Sequence, residues 1–347
     1  MYQVEHLKSG LSISTYLGCN LNCSYCILGA LGEDTSKPKQ IATVEDLENL
    51  LFNENSLYLP NRTPLIVNNR TDPFLPEVAE TTYDILDMLT KHNVKSPILI
   101  ITKLVPDLNI SYYSNRLNLM VFLSYSGLKR PFEPNRNFDI IDKFCERVPK
   151  KSRYHYFRPL IEGANDNEET ITRVLEHVVN KFSATVTTGL RIVPPIVKRL
   201  KERANYELKV KNYNPIHKFL KDETINNIWQ IRTKLNENYP IFRHTSCAVA
   251  FHLGKPNSQG YVNKEYHCDP NCKLKAICKK FKPNLDDDTI NYIHRHTDCN
   301  FTVQKNEIIF YGSISQEFKA SLRLISGLNI KADRIELSPS EREFLET

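Results

Sequence analysis

Cys19, Cys23 and Cys26 lie in the stretch Cys-Asn-Leu-Asn-Cys-Ser-Tyr-Cys, a C-x3-C-x2-C spacing directly after a strand-like run. Three thiolates on one short loop can ligate three irons of a [4Fe-4S] cube, because cysteine is the usual ligand of such clusters. No fourth cysteine follows at ferredoxin spacing, so one iron would lack a protein ligand. An open position is what a metal site needs in order to take up a substrate or cofactor. A zinc knuckle is the competing reading of the same thiols.

The wider inventory also favours metal. Nine cysteines occur in a chain whose opening residues, Met-Tyr-Gln-Val-Glu-His-Leu-Lys, show no basic-then-apolar signal pattern. Thiols of that kind serve metals more than disulfides. No apolar run approaches the length of a membrane span. The expectation is a cytoplasmic protein, damaged by handling in air.

The elements that must position these thiols can be read from periodicity. Strand candidates are Leu11–Gly18, Pro64–Asn69, Pro97–Thr102, Leu117–Ser124, Tyr154–Ile161 and Ala184–Ile192. Between them, Val44–Asn53, Val78–His92, Asn109–Asn115, Phe138–Arg147 and Glu168–Phe182 carry apolar residues mostly at helical spacing. Thr43 before Val-Glu-Asp-Leu reads as a helix N-cap. Six β/α units of about 30 residues imply a parallel sheet with crossover helices, two units short of a full TIM barrel. Cys19, Cys23 and Cys26 follow the first strand, at the end where barrel chemistry sits.

The cysteine spacing, with Tyr25 just before the third thiol, resembles that of the radical S-adenosylmethionine (radical SAM) superfamily. The resemblance implies an α/β fold, the partial (β/α)6 TIM barrel, with a small Cys-rich C-terminal extension. It also implies that SAM chelates the fourth iron and is cleaved reductively to a 5′-deoxyadenosyl radical. The electron would come from a reductant such as flavodoxin or ferredoxin.

Two further strand ends resemble the spore photoproduct lyase-like branch of that superfamily. Thr71-Asp72-Pro73-Phe74-Leu75-Pro76-Glu77 resembles the branch's "TDPYQP" turn, so Asn69 or Asp72 would supply acceptors for the SAM ammonium group. The fifth strand ends Arg158-Pro159-Leu160-Ile161-Glu162-Gly163-Ala164-Asn165-Asp166, like its counterpart in the branch except for Glu162 in place of a common proline. Arg158 would then pair with the SAM carboxylate, and Ile161 would pack on adenine. Ser124, closing the fourth strand, is a candidate for the ribose or carboxylate. The likeness covers roughly residues 11–195 and departs at Val121–Gly127, where the lyase's hydrogen-returning cysteine has no equivalent. Tyr125 there is either a redox-active phenol or, more simply, a packing residue.

The C-terminal third carries a second group: Cys247, Cys268, Cys272 and Cys278, spaced C-x20-C-x3-C-x5-C. Cysteines in such a Lys-, Pro- and Asn-rich segment act as a metal staple that orders it. A second cluster would resemble the auxiliary clusters of many radical SAM enzymes, and a tetrahedral zinc site is the rival. His244, His252 and His267 flank the thiols and could replace one ligand. Cys145 sits on an apolar helical face as a small core residue, and Cys299 stands apart.

The net charge of +6 is unevenly placed. Residues 191–211 carry Arg191, Lys198, Arg199, Lys201, Arg203, Lys209 and Lys211 against Glu202 and Glu207. Residues 255–282 carry seven Lys against Glu265 and Asp269. Such clusters neutralise phosphates in nucleic-acid binders, or balance an anionic cluster, or merely solvate a face. The expected organisation is a core over 1–195, a basic helical segment over 196–243, and a Cys-rich extension and cap over 244–347. The functional expectation is radical chemistry on DNA or RNA. The alternatives are a peptide or small-molecule substrate served by an auxiliary cluster, and a non-catalytic Fe–S or zinc module. Oligomeric state is not encoded in any feature above.

Overall fold

A computed structural model describes residues 3–7, 9–30, 32–208, 218–257, 268–280, 285–304 and 307–337. Lys209, Lys211, Lys264, Glu265, His267 and Lys282, singled out above, lie outside the described residues. The chain begins with a hairpin, β1 (Val4–Leu7) antiparallel to β2 (Gly10–Ile13). A two-residue ribbon follows in the cysteine loop, β3 (Tyr16–Leu17) with β4 (Lys39–Gln40), flanking α1 (Ile27–Ala30). β2 then pairs in parallel with β5 (Leu65–Val67), and the parallel ladder continues through β6 (Ile98–Thr102), β7 (Leu119–Ser124), β8 (Arg153–Leu160) and β9 (Ala184–Arg191). These are the six strands expected from periodicity. The first stops earlier than expected, because the Thr15 N–H leaves the ladder to donate to Asn68 Oδ1 at 2.9 Å.

The crossovers are helical, as a parallel sheet requires. They are α2 (Val44–Phe52), α3 (Ala79–Lys91), α4 (Ile110–Ser114), α5 (Asp139–Arg147) and α6 (Glu168–Val178), with α7 (Pro194–Ala204) after β9. Thr43 caps α2 as expected, in a reciprocal capping box with Asp46. Leu11, Ile13, Val67, Ile98, Ile100, Val121 and Leu123 bury the outer strand face against these helices. Cys145 packs against that same core, as read from its helical face.

Alternation along each strand sends the intervening residues to the inner face. There Ile66, Leu99, Met120, Phe122, Tyr154, Tyr156, Ala184 and Val186 form a second apolar cluster. Its cover comes from further along the chain. β10 (Lys218–Phe219) pairs antiparallel with β9, and after α8 (Asp222–Asn236), β11 (Ile241–Phe242) pairs parallel with the same strand. α9 (Thr245–His252) and Leu274, just before α10 (Lys275–Lys279), then press on the inner cluster. The half-barrel is thus plugged on its inner side by the Cys-rich segment.

The last unit comprises α11 (Asp287–His296), β12 (Asn300–Gln304), β13 (Glu307–Ser315), α12 (Gln316–Ser326) and β14 (Asn329–Glu336). The helix over 316–326 is capped by Ser315, whose side chain accepts from Phe318 N. Tyr292, Phe310, Phe318 and Leu322 make its core, against which Cys299 packs. Tyr292 and Ser321 hydroxyls both donate to Leu57 O, at 3.0 and 2.8 Å, and Arg62 pairs with Asp286 at 2.5 Å. These contacts dock the unit on the loop after α2.

Candidate active site

The cysteine loop leaves β2 at the C-terminal edge of the sheet, and local chemistry holds it there. Gly18 adopts φ +94°, and a Cβ would lie 2.7 and 2.8 Å from the carbonyl oxygens of Asp34 and Lys37, so only glycine fits this turn. Its N–H donates to Arg70 O at 3.0 Å, tying the loop to the end of β5. Ser24 donates through N–H and hydroxyl to Phe132 O, at 2.8 and 3.2 Å. The three thiols are free and lie within electrostatic reach of one another. Burial pushes Cys19 up to about 12, with Asp72, Cys23 and Cys26 adding to the rise. Burial also raises Cys23, opposed by Lys103. Among the described residues no set of His, Cys, Asp or Glu side chains stands closed up at metal-holding separation.

The strand ends beside the loop are polar. Ser12 and Ser14 alternate with the outward Leu11 and Ile13, so they face inward, and both hydroxyls are buried with no hydrogen-bond partner among the described residues. Ser124 and Arg158 share parity with inward Phe122 and Tyr156, and the Arg158 guanidinium lies 4.5 Å over the Tyr156 ring. Arg158 makes no ion pair with a described carboxylate. Unsatisfied buried hydroxyls and an unpaired guanidinium are costly unless a polar ligand completes them. Their chemistry fits the carboxylate and ribose of SAM.

Of the other expected contacts, Asp72 and Ile161 are already engaged and Asn69 is not. Asn69 is exposed at the end of β5. Its neighbour Asn68, left-handed at φ 50° and fully buried, instead ties β2 to α3: it accepts from Thr15 and donates to Thr82 Oγ1 at 2.9 Å. Asp72 is buried, with Oδ1 accepting from Phe74 N and Thr102 Oγ1 and Oδ2 from Lys103 N at 2.6 Å. Its carboxylate therefore fixes the turn that β5 makes onto β6. Burial raises its pKa, against the pull of those donors. Ile161 is fully covered by Leu128, Leu190, Ile192, Ile196 and Leu200, with Tyr25 and Ile27 against the same cluster. It welds the cysteine loop to β8, β9 and α7.

Tyr125 corrects the catalytic option. Strand alternation turns it to the outer core, where it stacks near Phe138 at 5.4 Å and donates to Arg136 O at 3.4 Å. It is a packing residue.

A buried ionic cluster, missed in the sequence, underlies the loop. Lys103, just after β6, donates to Glu133 Oε2 at 2.5 Å, Tyr25 OH at 2.8 Å and Ser124 Oγ at 3.4 Å. Arg136 donates to Glu133 Oε1 at 2.7 Å and to the Ser124 carbonyl at 2.8 Å. The Tyr25 hydroxyl also donates to Glu133. Burial works against the Glu133 charge, yet Lys103 and Arg136 hold its carboxyl below the usual range. Burial, then the Glu133 charge, pushes Tyr25 well up, so the phenol stays a neutral donor. The isolated Glu133 carried no sequence signal because its partners come from three separate loops.

The second cysteine group packs on the inner face, with Cys247, Cys272 and Cys278 against the Tyr154–Tyr156 cluster. Asn257 donates through its backbone N–H to Cys278 Sγ at 3.2 Å and through Nδ2 to Cys247 Sγ at 3.0 Å. Burial raises Cys247 to about 12, and Cys268, Cys272 and Cys278 all add to the rise. All four thiols therefore lie within electrostatic reach of one another. His252 Nδ1 and Tyr154 OH share a hydrogen bond at 3.0 Å, which takes His252 up in packing, and His244 precedes α9 as its N-cap residue.

No family model and no curated protein matches the chain. Solved structures do match. A point mutant of spore photoproduct lyase aligns at TM-score 0.52 and 12% identity, covering 70% of this chain and 79% of its own. Spore photoproduct lyase complexed with dinucleoside spore photoproduct aligns at 0.51 and 11%, covering 70% and 78%. A double mutant with bound AdoMet and the same dinucleoside aligns at 0.50 and 11%, over the same shares. The chain has the fold of these proteins, the partial (β/α)6 barrel of radical SAM type.

Proposed function

We propose that this chain is a radical SAM enzyme that holds a [4Fe-4S] cluster at Cys19, Cys23 and Cys26 and acts on nucleic acid. The observation that carries this reading is a three-thiol loop beside inward Ser12, Ser14, Ser124 and Arg158, on the fold of a lyase solved with AdoMet bound. When bound, cluster and SAM together supply a 5′-deoxyadenosyl radical, the hard chemistry that a cofactor brings. The chain's own residues position it. Arg158 offers a guanidinium fork to a carboxylate, while Ser12, Ser14 and Ser124 offer hydroxyls. Tyr25, Lys103 and Glu133 brace the loop, and Asn69 stands exposed at the rim as a further acceptor. The apolar plug of α9 and Leu274 keeps water from the inner face, which protects a radical from side reactions. Anaerobically reconstituted protein, reduced with dithionite in the presence of SAM, should release 5′-deoxyadenosine. Iron-loaded protein that releases none would overturn the reading.

The nucleic-acid substrate is supported by the rim. Arg130 and Arg203 line a cleft of about 510 Å³ with Leu21, Asn22, Pro131, Glu133 and Pro134, beside the cysteine loop. Arg191, Lys198 and Lys201 are exposed nearby on β9 and α7. Binding to single- or double-stranded DNA or to tRNA should weaken steeply with salt. No binding to any of them at low salt would favour the second reading, a peptide or small-molecule substrate. That reading is supported by the end of β7, where Ser124-Tyr125-Ser126 offers no thiol for returning hydrogen.

We also infer that Cys247, Cys268, Cys272 and Cys278 hold a second [4Fe-4S] cluster. The Asn257 N–H groups aimed at two of the sulfurs support it, since hydrogen bonds to thiolate sulfur tune such centres. Zinc in their place would show as metal without extra sulfide.

A further inference from the structure

Arg199 lies midway along α7, on the face that packs against the cysteine loop. Its guanidinium donates to the Gly29 carbonyl at 3.3 Å and to the Cys23 carbonyl at 3.5 Å. It rests so closely on Gly29 that a Cβ there would stand 2.6 Å from its Cζ. Its charge acts on the thiols of Cys26 and Cys23. Lys198 and Lys201 on the same helix pair with Glu202 and Glu207, whereas Arg199 forms no ion pair with a described carboxylate: the Glu202 charge favours it from beyond contact, the Arg203 charge opposes it, and among the described residues its Nε is buried with no partner. A part-buried guanidinium without a direct counter-ion is an expensive arrangement. What it faces is a loop of three cysteines, which becomes anionic once the thiols are ligands.

We propose that Arg199 is the counter-charge of this loop and a positioning residue that sets the redox poise of the site. This rests on the cluster reading above. One electron from a low-potential donor adds one negative charge to the thiolate-held iron, with no bond made or broken. A fixed positive charge beside Cys23 and Cys26 favours that more negative state, and net charge is among the main determinants of cluster potential. Arg199 also pins the loop to α7 through the two carbonyls, so it fixes both the charge and its distance.

The test is a potentiometric EPR titration of anaerobically reconstituted wild type, Arg199→Gln, Arg199→Lys and Lys198→Gln, with iron counted in each. Arg199→Gln should lower the midpoint so that the ratio of reduced to oxidised cluster falls about tenfold at fixed potential, 59 mV for one electron. Arg199→Lys should keep most of the wild-type value, and Lys198→Gln all of it. If Arg199→Gln fails to hold iron, Gly29→Ala carries the test. It moves only the end of a flexible side chain away from the loop, and should lower the midpoint part of the way. A wild-type midpoint in iron-loaded Arg199→Gln, or an equal fall in Arg199→Lys, overturns the counter-charge role and leaves the cluster reading intact. Wild type that takes up no iron overturns both.

Discussion

The two cysteine groups differ in what faces them. Cys19, Cys23 and Cys26 come from eight consecutive residues at the open edge of the sheet, next to Lys103 and Arg199 and to inward polar side chains. Cys247, Cys268, Cys272 and Cys278 are gathered from more than thirty residues against an apolar wall, with Asn257 supplying neutral amide donors and the buried Arg232–Asp269 pair beside Cys268. The first has too few thiols to close a cube and a polar lumen beside it, as suits a reactive centre. The second has four thiols and an apolar floor, as suits a closed staple. On the reading proposed above, a polar lumen beside one and an apolar floor under the other separate a site for chemistry from a site for order.

The largest expected effect would break this contrast outright. Cys19→Ala/Cys23→Ala/Cys26→Ala should drop iron from about eight to about four per chain, and abolish 5′-deoxyadenosine formation while the protein stays folded. Cys247→Ser/Cys272→Ser should lose a similar amount of iron and also lower the melting temperature, because a metal that gathers distant residues contributes its binding energy to folding. If both variants melted alike, the distinction between reactive and structural groups would fail.

A smaller effect compares the supports. Glu133→Gln leaves Lys103 and Arg136 with a neutral partner in a buried site, and breaking such a pair costs about 3–5 kcal/mol. Asn257→Ala removes the neutral Nδ2 hydrogen bonds to Cys247 Sγ and Ser246 Oγ while keeping the backbone N–H bond to Cys278, a loss of about 1–2 kcal/mol. Denaturant titrations of the two variants read the difference directly. Equal losses would mean that the first loop is not held by charge.

Sequence made the scaffold legible and left its supports hidden, for physical reasons. The β/α units and the Thr43 cap follow from local periodicity and caps, which short windows contain. The first three cysteines were legible because their spacing is itself local. Lys103, Glu133 and Arg136 become a unit only when the loops after β6 and β7 fold against Tyr25. Arg199 gains meaning only when α7 docks on the cysteine loop. Tyr125 stood open between a redox phenol and the simpler packing residue, and strand parity puts it in the outer core. Ile161 is similar: its position was legible, but its surface is spent on welding the loop to α7. That the Cys-rich segment plugs the inner face was beyond any window, since α9 meets β8 across nearly a hundred residues.

The smallest effect uses β8, whose two faces serve the two regions differently. Tyr154 and Tyr156 point inward to the Cys-rich plug, while His155 points outward, fully buried. His155 donates from Nε2 to the Tyr125 carbonyl at 2.8 Å, and its Nδ1 accepts from Thr185 Oγ1 at 3.1 Å, so the imidazole is neutral. Burial lowers its pKa to about 4, from an unfolded value near 6.5. As pH falls the unfolded chain takes up this proton first, so stability is full above 6.5 and is lost progressively down to about 4, by about 3 kcal/mol. Glu133, also held below its ordinary value, loses its contribution in the same direction but in a lower window, below 4.5. Acid between pH 6.5 and 4.5 should therefore weaken the barrel through His155 while leaving the ionic support of the first group intact. His155→Gln should flatten the stability profile over this range, whereas Glu133→Gln should leave its slope there unchanged. A slope that persists in His155→Gln would place the acid-sensitive group elsewhere and remove this distinction between the two supports.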